Sequence, residues 1–529
     1  MMKEVLQVVG LGVLGGCLVW CLYMYHNMVL QPSRIRRRIE KQGIRGPPSS
    51  SFLLGNIPDI AAIQGLRLPP RGGRHLQHDW PSVLFPHFSH WITQYGSTFT
   101  YSKASTHIIL TTDVEMVKQV NLCTSFSLGK PLHLARDQHP LLGDSILSTC
   151  GRRWAHQRKI IAPEFFAERV KSMASLMVDC TKRTLCSWES RLSECSSFGS
   201  KMSDEIDVYP DMKGLTADVI ARACFGSNYA EGQSIFVQLK NLRDAMAKRY
   251  AQVGIPGFRL FPTKINREIW KLEKGINSLI LEVVKKRAAT SREKDLLQAI
   301  LEGAKDATSQ GDDKGLKYNI SLDKFIVDNC KAIYFAGQET SAITVTWCLM
   351  LLAAHPDWQV QARAEVIGIC KDNEFPDEHM LRDMKILTMV IQETLRLYPP
   401  AFFVQRTALE DTKLGNIIIP KGVNVEIPIG IVQRDPVVWG PDADAFNPGR
   451  FANGIRGATS FPQAYLPFGL GPRTCAGQHF AMAELKVIMS MVLLKFSFSL
   501  SPGYSHSPAF RLVVEPEHGV HLTIRKATR

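Results

Sequence analysis

Near its C-terminus this chain reads Phe468-Gly469-Leu470-Gly471-Pro472-Arg473-Thr474-Cys475-Ala476-Gly477, and no other stretch constrains it as tightly. One cysteine sits among three glycines and an arginine. Glycine tolerates positive φ angles that other residues avoid, so the backbone can turn closely around the sulfur. The segment that follows reads as a helix from Gln478 to about Lys495. Its free N–H groups and positive dipole end would favour a thiolate over a thiol at Cys475. Arg473 adds a cation suited to an anionic group. A buried cysteine in an ordinary glycine-rich turn is the bland alternative, and the other motifs argue against it.

The pattern F-G-x-G-x-R-x-C-x-G resembles the haem-binding signature of the cytochrome P-450 monooxygenases. The resemblance implies a mainly α fold with small β-sheets, preceded by one N-terminal transmembrane helix. It implies haem b with Cys475 as the axial iron ligand, Phe468 among the haem-binding residues and Arg473 on a propionate. A thiolate ligand pushes electron density onto iron and favours O–O cleavage, so the implied chemistry is oxygen activation.

Length and charge bound the rest. At 529 residues the chain could hold two or three domains, yet no internal repeat or Pro/Gly/Ser linker divides it. The resemblance therefore assigns residues 49–529 to a single catalytic domain. The twelve cysteines are scattered, without a C-x-x-C pair or zinc spacing. Cys475 and the apolar-stretch pair Cys17 and Cys21 aside, they read as small buried hydrophobes in a reducing compartment. Val5 to Tyr25 is nearly uncharged and long enough to span roughly 30 Å of hydrocarbon as a helix. Trp20, Tyr23 and Tyr25 suit an interfacial belt, and Arg34, Arg36, Arg37, Arg38 and Lys41 would stay cytosolic by the positive-inside rule. We read residues 1–30 as a retained signal-anchor in preference to a cleaved signal, and residues 31–48, ending in Gly46-Pro47-Pro48, as a basic, proline-rich hinge. The resemblance places such a chain in the endoplasmic reticulum membrane, single-pass, with the catalytic domain cytosolic. The net charge of +14 has no nucleic-acid motif beside it. It suits anionic lipid and an acidic electron donor, and the resemblance implies NADPH–cytochrome P-450 reductase as that donor.

Several further runs carry chemistry. Leu53 to Gln94, rich in Pro, Gly and His, reads as mostly irregular. Thr98–Ser102 and His107–Thr112 read as two strands, followed by a short helix to Val120 capped by Asp113. Trp154 and Arg158 stand at i, i+4 and would present two donors on one helix face. Alone they would be a packed aromatic and a surface charge; with the cysteine loop they resemble the family's propionate-binding helix. Leu322 to Ala354 reads as a long apolar helix interrupted by Ala336-Gly337-Gln338-Glu339-Thr340-Ser341. Its uninterrupted part, Ala342 to Ala354, is too short for a membrane span. Polar residues beside Gly337 suggest a local opening of the hydrogen-bond ladder, or a glycine that merely allows close packing. The run resembles the family motif in which a hydroxyl (Thr340) and an acid (Glu339) deliver protons. Glu393 and Arg396, one turn apart, would in isolation be a minor surface pair. With Phe446-Asn447-Pro448-Gly449-Arg450-Phe451 they resemble a buried structural network of Glu393, Arg396 and Arg450. Arg406, after a strand at Phe402–Gln405, is a further propionate candidate. Gln433-Arg434-Asp435 departs from the family, which often has a histidine first.

The pocket is expected from about Phe126 to Ile146, the long-helix groove at Ala336, the run Ala401 to Val404, and a turn near Glu517 to Val520. Phe402, Phe403 and Val404 would form a bulky apolar wall, or equally ordinary core. His133, Arg136 and His139 could meet a substrate carboxylate, but read better as surface or propionate-side residues. Leu84-Phe85-Pro86-His87-Phe88, Ala223-Cys224-Phe225-Gly226 and the runs at Trp154 and Pro467 look like a plant non-A-type group. Its members oxidise gibberellin-type diterpenoid acids or pentacyclic triterpenoids, so the resemblance implies terpenoid hydroxylation with O2 and reductase-delivered electrons. The rivals are a haem-thiolate isomerase or dehydratase, which often lacks the hydroxyl of Thr340, a non-catalytic haem carrier, and a monooxygenase of another lipophile.

Overall fold

The computed structural model describes residues 30–51, 53–65, 78–124, 126–197, 205–226, 229–249, 258–290, 295–309, 321–371 and 375–527, with isolated positions between 15 and 26. Two thirds of the expected membrane span, Val5 to Tyr25, lies outside these residues. Among the described residues no helix is long and apolar enough to cross a membrane.

Local capping chemistry starts the helices that matter here. Asp113 is extended and accepts the Met116 N–H at 2.8 Å, which begins α1 (Val114–Leu122). Further along come α2 (Gly151–Ile161), α3 (Val208–Phe225, capped by Asp207) and α4 (Tyr229–Lys248). Ser321 accepts from Lys324 N and opens α5 (Leu322–Ala354), the 33-residue helix through the core. The Glu365 carboxylate takes the N–H groups of Lys385, Ile386 and Leu387, the free end of α6 (Lys385–Leu397). Finally, α7 (Gln478–Lys495) leaves the cysteine loop directly.

Small sheets flank this helical body. A five-stranded sheet runs in the order β1 (Thr98–Lys103), β2 (Thr106–Thr111), β8 (Asn424–Pro428), β5 (Phe403–Ala408), β3 (Leu128–Gly129), with β2 and β8 parallel. Three strands, β4 (Glu205–Asp207), β12 (His521–Lys526) and β9 (Phe496–Leu500), form a second sheet. The hairpins β6 (Thr412–Leu414)–β7 (Ile417–Ile419) and β10 (Pro508–Phe510)–β11 (Val514–Pro516) complete the set. The fold is mainly α with small sheets, as the sequence implied.

Two local expectations need correction. Leu53 to Gln94 is not mostly irregular: it holds helices Ile57–Gly65, Trp80–Leu84 and Pro86–Tyr95. Pro81 and Pro86 sit in the first turns of two of them, where a missing N–H costs nothing. The expected opening of the long helix is also not a break, since α5 runs continuously through Gly337. A Cβ at Gly337 would collide with Ile220 of α3, so the glycine permits close helix packing. The neighbouring carbonyls are engaged by hydroxyls: Ala336 accepts from Thr340 at 2.7 Å and Gln338 from Thr216 at 3.0 Å.

Behind the cysteine loop, Glu393 and Arg396 are both wholly buried and form a bidentate pair at 2.7 Å. Arg396 also donates to the carbonyls of Gln433, Ala443 and Ala445. Arg450 stands 3.7 Å from Glu393 but spends its better contacts on Asp442 (2.8 Å) and the Trp439 carbonyl (2.7 Å). Gln433 fills the histidine position of the family, donating to the Leu395 and Arg396 carbonyls and accepting the Leu466 N–H at 2.7 Å. A buried charge stripped of its partner typically costs about 3–5 kcal/mol. Glu393→Ala should therefore lower the unfolding free energy by that order, read by denaturant titration, and Glu393→Gln, which keeps one acceptor oxygen and the shape of the side chain, should lose less.

Candidate active site

The cysteine loop is built by two left-handed glycines, Gly469 (φ 68) and Gly471 (φ 72). A Cβ on Gly471 would run into the Asn121 carbonyl of α1. Gly477 has φ −91 and needs no such freedom. The Cys475 N–H donates to the Phe468 carbonyl at 2.7 Å and closes the turn. The Cys475 side chain keeps an open face although protein surrounds the rest of it. Burial pushes its thiol above the ordinary value, while the Gly477 N–H and the Arg158 guanidinium pull it down without winning. The helix end is outweighed here by burial. A metal cation bound at this sulfur would deprotonate it outright.

Beside the loop, cations gather without acids. From α2 come Trp154 and Arg158, from β5 Arg406, from the loop Arg473, and from the end of β3 Lys130. Arg158 donates to the Thr474 carbonyl at 2.7 Å, Arg473 to that of Thr149 at 3.1 Å, and Arg406 to that of Gln405 at 2.9 Å. The Arg473 guanidinium lies 4.4 Å from the Trp154 ring centroid. Among the described residues none of these four cations has a carboxylate partner, and the Trp154 indole N–H has no acceptor. Burial, reinforced by repulsion from Arg406 and Arg473, brings Lys130 down to about 7. Burial and the Arg473 charge bring Arg406 down to about 10. Like charges so placed are unfavourable unless a ligand carries the compensating anions. A haem brings two carboxylates on one edge and an iron that takes a thiolate, so this donor set fits it. Sequence reasoning missed Lys130. The pairing of Gly129 with Thr407 brings it beside Arg406, and a two-residue strand leaves no periodic signal.

On α5, Ala336 and Thr340 lie one turn apart and keep surface while most of the helix is buried. Glu339 points instead into protein, 2.6 Å from Arg243 of α4 and 3.2 Å from Lys213 of α3. Of the expected apolar wall, Phe402 is 1% exposed and stacked on Phe85 with ring centroids 4.4 Å apart, and Val404 is likewise buried. Phe403 alone of the three keeps surface, edge-on to Phe88, Phe85 and Phe510. The turn from Glu517 to Val520 does not join this wall: Glu517 binds the exposed Ser507 hydroxyl and Val520 is buried at the start of β12. The turn that does is Arg511–Val513, between Phe510 and a Val514 N–H that donates to the Pro400 carbonyl at 3.0 Å. In the segment Phe126 to Ile146, Lys324 of α5 binds Asp144 at 2.8 Å and Asp328 at 2.6 Å. His139 lies 3.6 Å from Glu273. Arg136 accepts from Arg259 through its carbonyl, and the His133 side chain lies outside the description.

Glu484 of α7 also escaped the sequence reading. It is 0% exposed, and neither carboxyl oxygen has a hydrogen-bond partner. Burial pushes it up to about 8, offset only slightly by the nearby Ser341 hydroxyl.

With fold and site described, comparison with known proteins is direct. The family profile described as Cytochrome P-450 matches residues 70–524. This chain belongs to that family and is a haem-thiolate monooxygenase, its haem iron held by the Cys475 thiolate. Its relatives place it among plant proteins. Cytochrome P-450 714C2 of Oryza sativa subsp. japonica is 48% identical over 518 residues, covering 96% of each chain. Cytochrome P-450 714A2 of Arabidopsis thaliana is 42% identical, covering 96% of this chain and 98% of its own. Cytochrome P-450 714B3 of Zea mays is 43% identical, covering 96% and 93%.

Two outcomes follow. Arg406→Ala with Arg473→Ala should lower the haem content of purified protein roughly tenfold or more, each charge-assisted hydrogen bond being worth about 1.5–3 kcal/mol. The second concerns pH. Folded Glu484 keeps its proton to about 8, whereas the unfolded carboxyl releases it near 4.5, so this group costs stability as pH rises through that window. Glu484→Gln should therefore gain on the parent by up to about 1.4 kcal/mol per pH unit there, read by denaturation at stepped pH.

Proposed function

We propose that this protein is a membrane-anchored hydroxylase of a terpenoid skeleton, either a pentacyclic triterpenoid or a gibberellin-type diterpenoid acid. It draws NADPH electrons from cytochrome P-450 reductase at the endoplasmic reticulum membrane. The observation that carries the hydroxylase reading is the helix α5, where Thr340 offers a hydroxyl on an accessible face and Glu339 a carboxylate wired inward. The bound haem supplies reductive activation of dioxygen at its iron. Thr340 holds its own proton on the Ala336 carbonyl, leaving its lone pairs free to accept a hydrogen bond at the reacting side. Glu339, buried among cations, is the acid that moves protons toward that face. Phe403 and Phe510 give an apolar boundary that binds a rigid hydrocarbon and excludes water. The terpenoid assignment rests on this boundary and on the sequence resemblance to the plant group. Anchoring rests on the apolar run Val5 to Tyr25 and the basic cluster after it.

The substrate is tested in microsomes carrying this protein and a plant reductase, offered gibberellins, kaurenoid acids and oleanane or ursane triterpenoids, with mass detection of products gaining one oxygen. Product from either class supports the reading; turnover confined to non-terpenoid lipophiles would remove it. For the proton path, Thr340→Ala should lower product per NADPH consumed by an order of roughly tenfold or more, with hydrogen peroxide rising in its place. Unchanged coupling would discard the assignment.

A further inference from the structure

Glu339 does not meet its cations alone. Arg243 Nη1 lies 2.6 Å from Glu339 Oε2 and 2.9 Å from Oε2 of Glu515, on β11. Lys213 Nζ repeats the arrangement, at 3.2 Å from Glu339 and 3.8 Å from Glu515. The Tyr209 hydroxyl donates to Glu515 at 2.7 Å. Arg243, Glu339 and Glu515 are 3%, 4% and 2% exposed, so this is an interior cluster of two carboxylates and two cations. At its margin Arg511 reaches Glu515 at 3.1 Å and Asp244 reaches Arg243 at 3.3 Å, both far more exposed.

The charges around Arg243 act as one unit. Burial draws Arg243 down, but Glu339 and Glu515 together more than offset it and leave it above its ordinary value. Lys213 ends below its ordinary value, because burial and the Arg243 charge outweigh both carboxylates. Burial and the two carboxylates hold the Tyr209 phenol far up, so it remains a donor.

Without Glu515, two buried cations would converge on Glu339 alone and clamp its carboxylate from both sides. With it, the cluster balances. We infer that Glu515 is a positioning residue for proton delivery: by sharing Arg243 and Lys213 with Glu339, it divides the hold of the two cations and so sets where the Glu339 carboxylate stands. The inference rests on the proposed role of Glu339 and extends it to a strand outside every motif. The same hairpin carries Phe510, whose ring centroid lies 6.0 Å from that of Phe403. It is pinned at Val514, between the Pro400 carbonyl and the Trp347 indole of α5. The apolar boundary and the acid's partner therefore belong to one rigid element.

The test uses full-length haem-loaded protein with reductase and the terpenoid turned over in the panel above. Glu515→Gln should keep the carbon monoxide difference spectrum and KM, while product per NADPH falls roughly threefold to tenfold and the solvent deuterium isotope effect on product formation rises. Glu515→Asp should recover most of the coupling. Glu515→Gln placed on Glu339→Gln should add nothing further, and the same cycle read by thermal unfolding should show non-additive stability. If Glu515→Gln does not retain haem, Arg243→Lys, which keeps the charge but replaces the planar fork by a single ammonium, is read in the same way. Wild-type coupling in Glu515→Gln beside uncoupling in Glu339→Gln overturns the inference and leaves the proposed function intact. Wild-type coupling in both overturns the relay reading itself.

Discussion

Arg396 reaches three carbonyls and one carboxylate from a position closed to solvent, and the rest of the active-site scaffold hangs on that reach. A guanidinium can do this because its donors are fixed in a plane and its charge is never lost. Its partner Glu393 gathers the Asn447 N–H as well, so α6 and the segment from Gln433 to Asn447 are locked to one another. Gln433 then carries the lock forward to Leu466, two residues ahead of Phe468. The cysteine is thus placed by a chain of buried polar contacts whose members cannot be exchanged for apolar residues singly.

Four buried charge arrangements in this protein illustrate four different solutions to one problem. Glu393 and Arg396 neutralise each other within one helix turn. Glu339, Glu515, Arg243 and Lys213 balance in number across four elements. Lys130, Arg158, Arg406 and Arg473 share one sign and complement a dianionic ligand. Glu484 avoids the problem by holding its proton. The first solution is rigid and the third fits a dianionic ligand. The second and fourth both adjoin the polar run of α5.

What the sequence revealed and concealed divides along physical lines. The bounds of α5 and α7, the Asp113 cap and the strand pair β1–β2 were legible because capping and periodicity are local. So were Cys475, set in its glycine-rich loop, and the buried pair Glu393 and Arg396, one helix turn apart. The prolines ahead of Trp91 misled, since the residue that breaks a helix is also at home in its first turn. Gly337 misled too, its role being set by Ile220 on another helix. Lys130, Lys213, Arg243 and Glu515 were invisible for the same reason: each is defined by a partner brought close only by tertiary packing.

Gln433 gives the scaffold a property that the family's usual residue there would not confer. An imidazole changes its donor and acceptor roles near pH 6.5, so a histidine clamp would loosen or tighten with acidity. The amide of Gln433 has nothing to titrate, and its two donated bonds and one accepted bond persist unchanged across that range. In this chain the link from Arg396 to the cysteine loop through Gln433 therefore holds without change as acidity varies over that range.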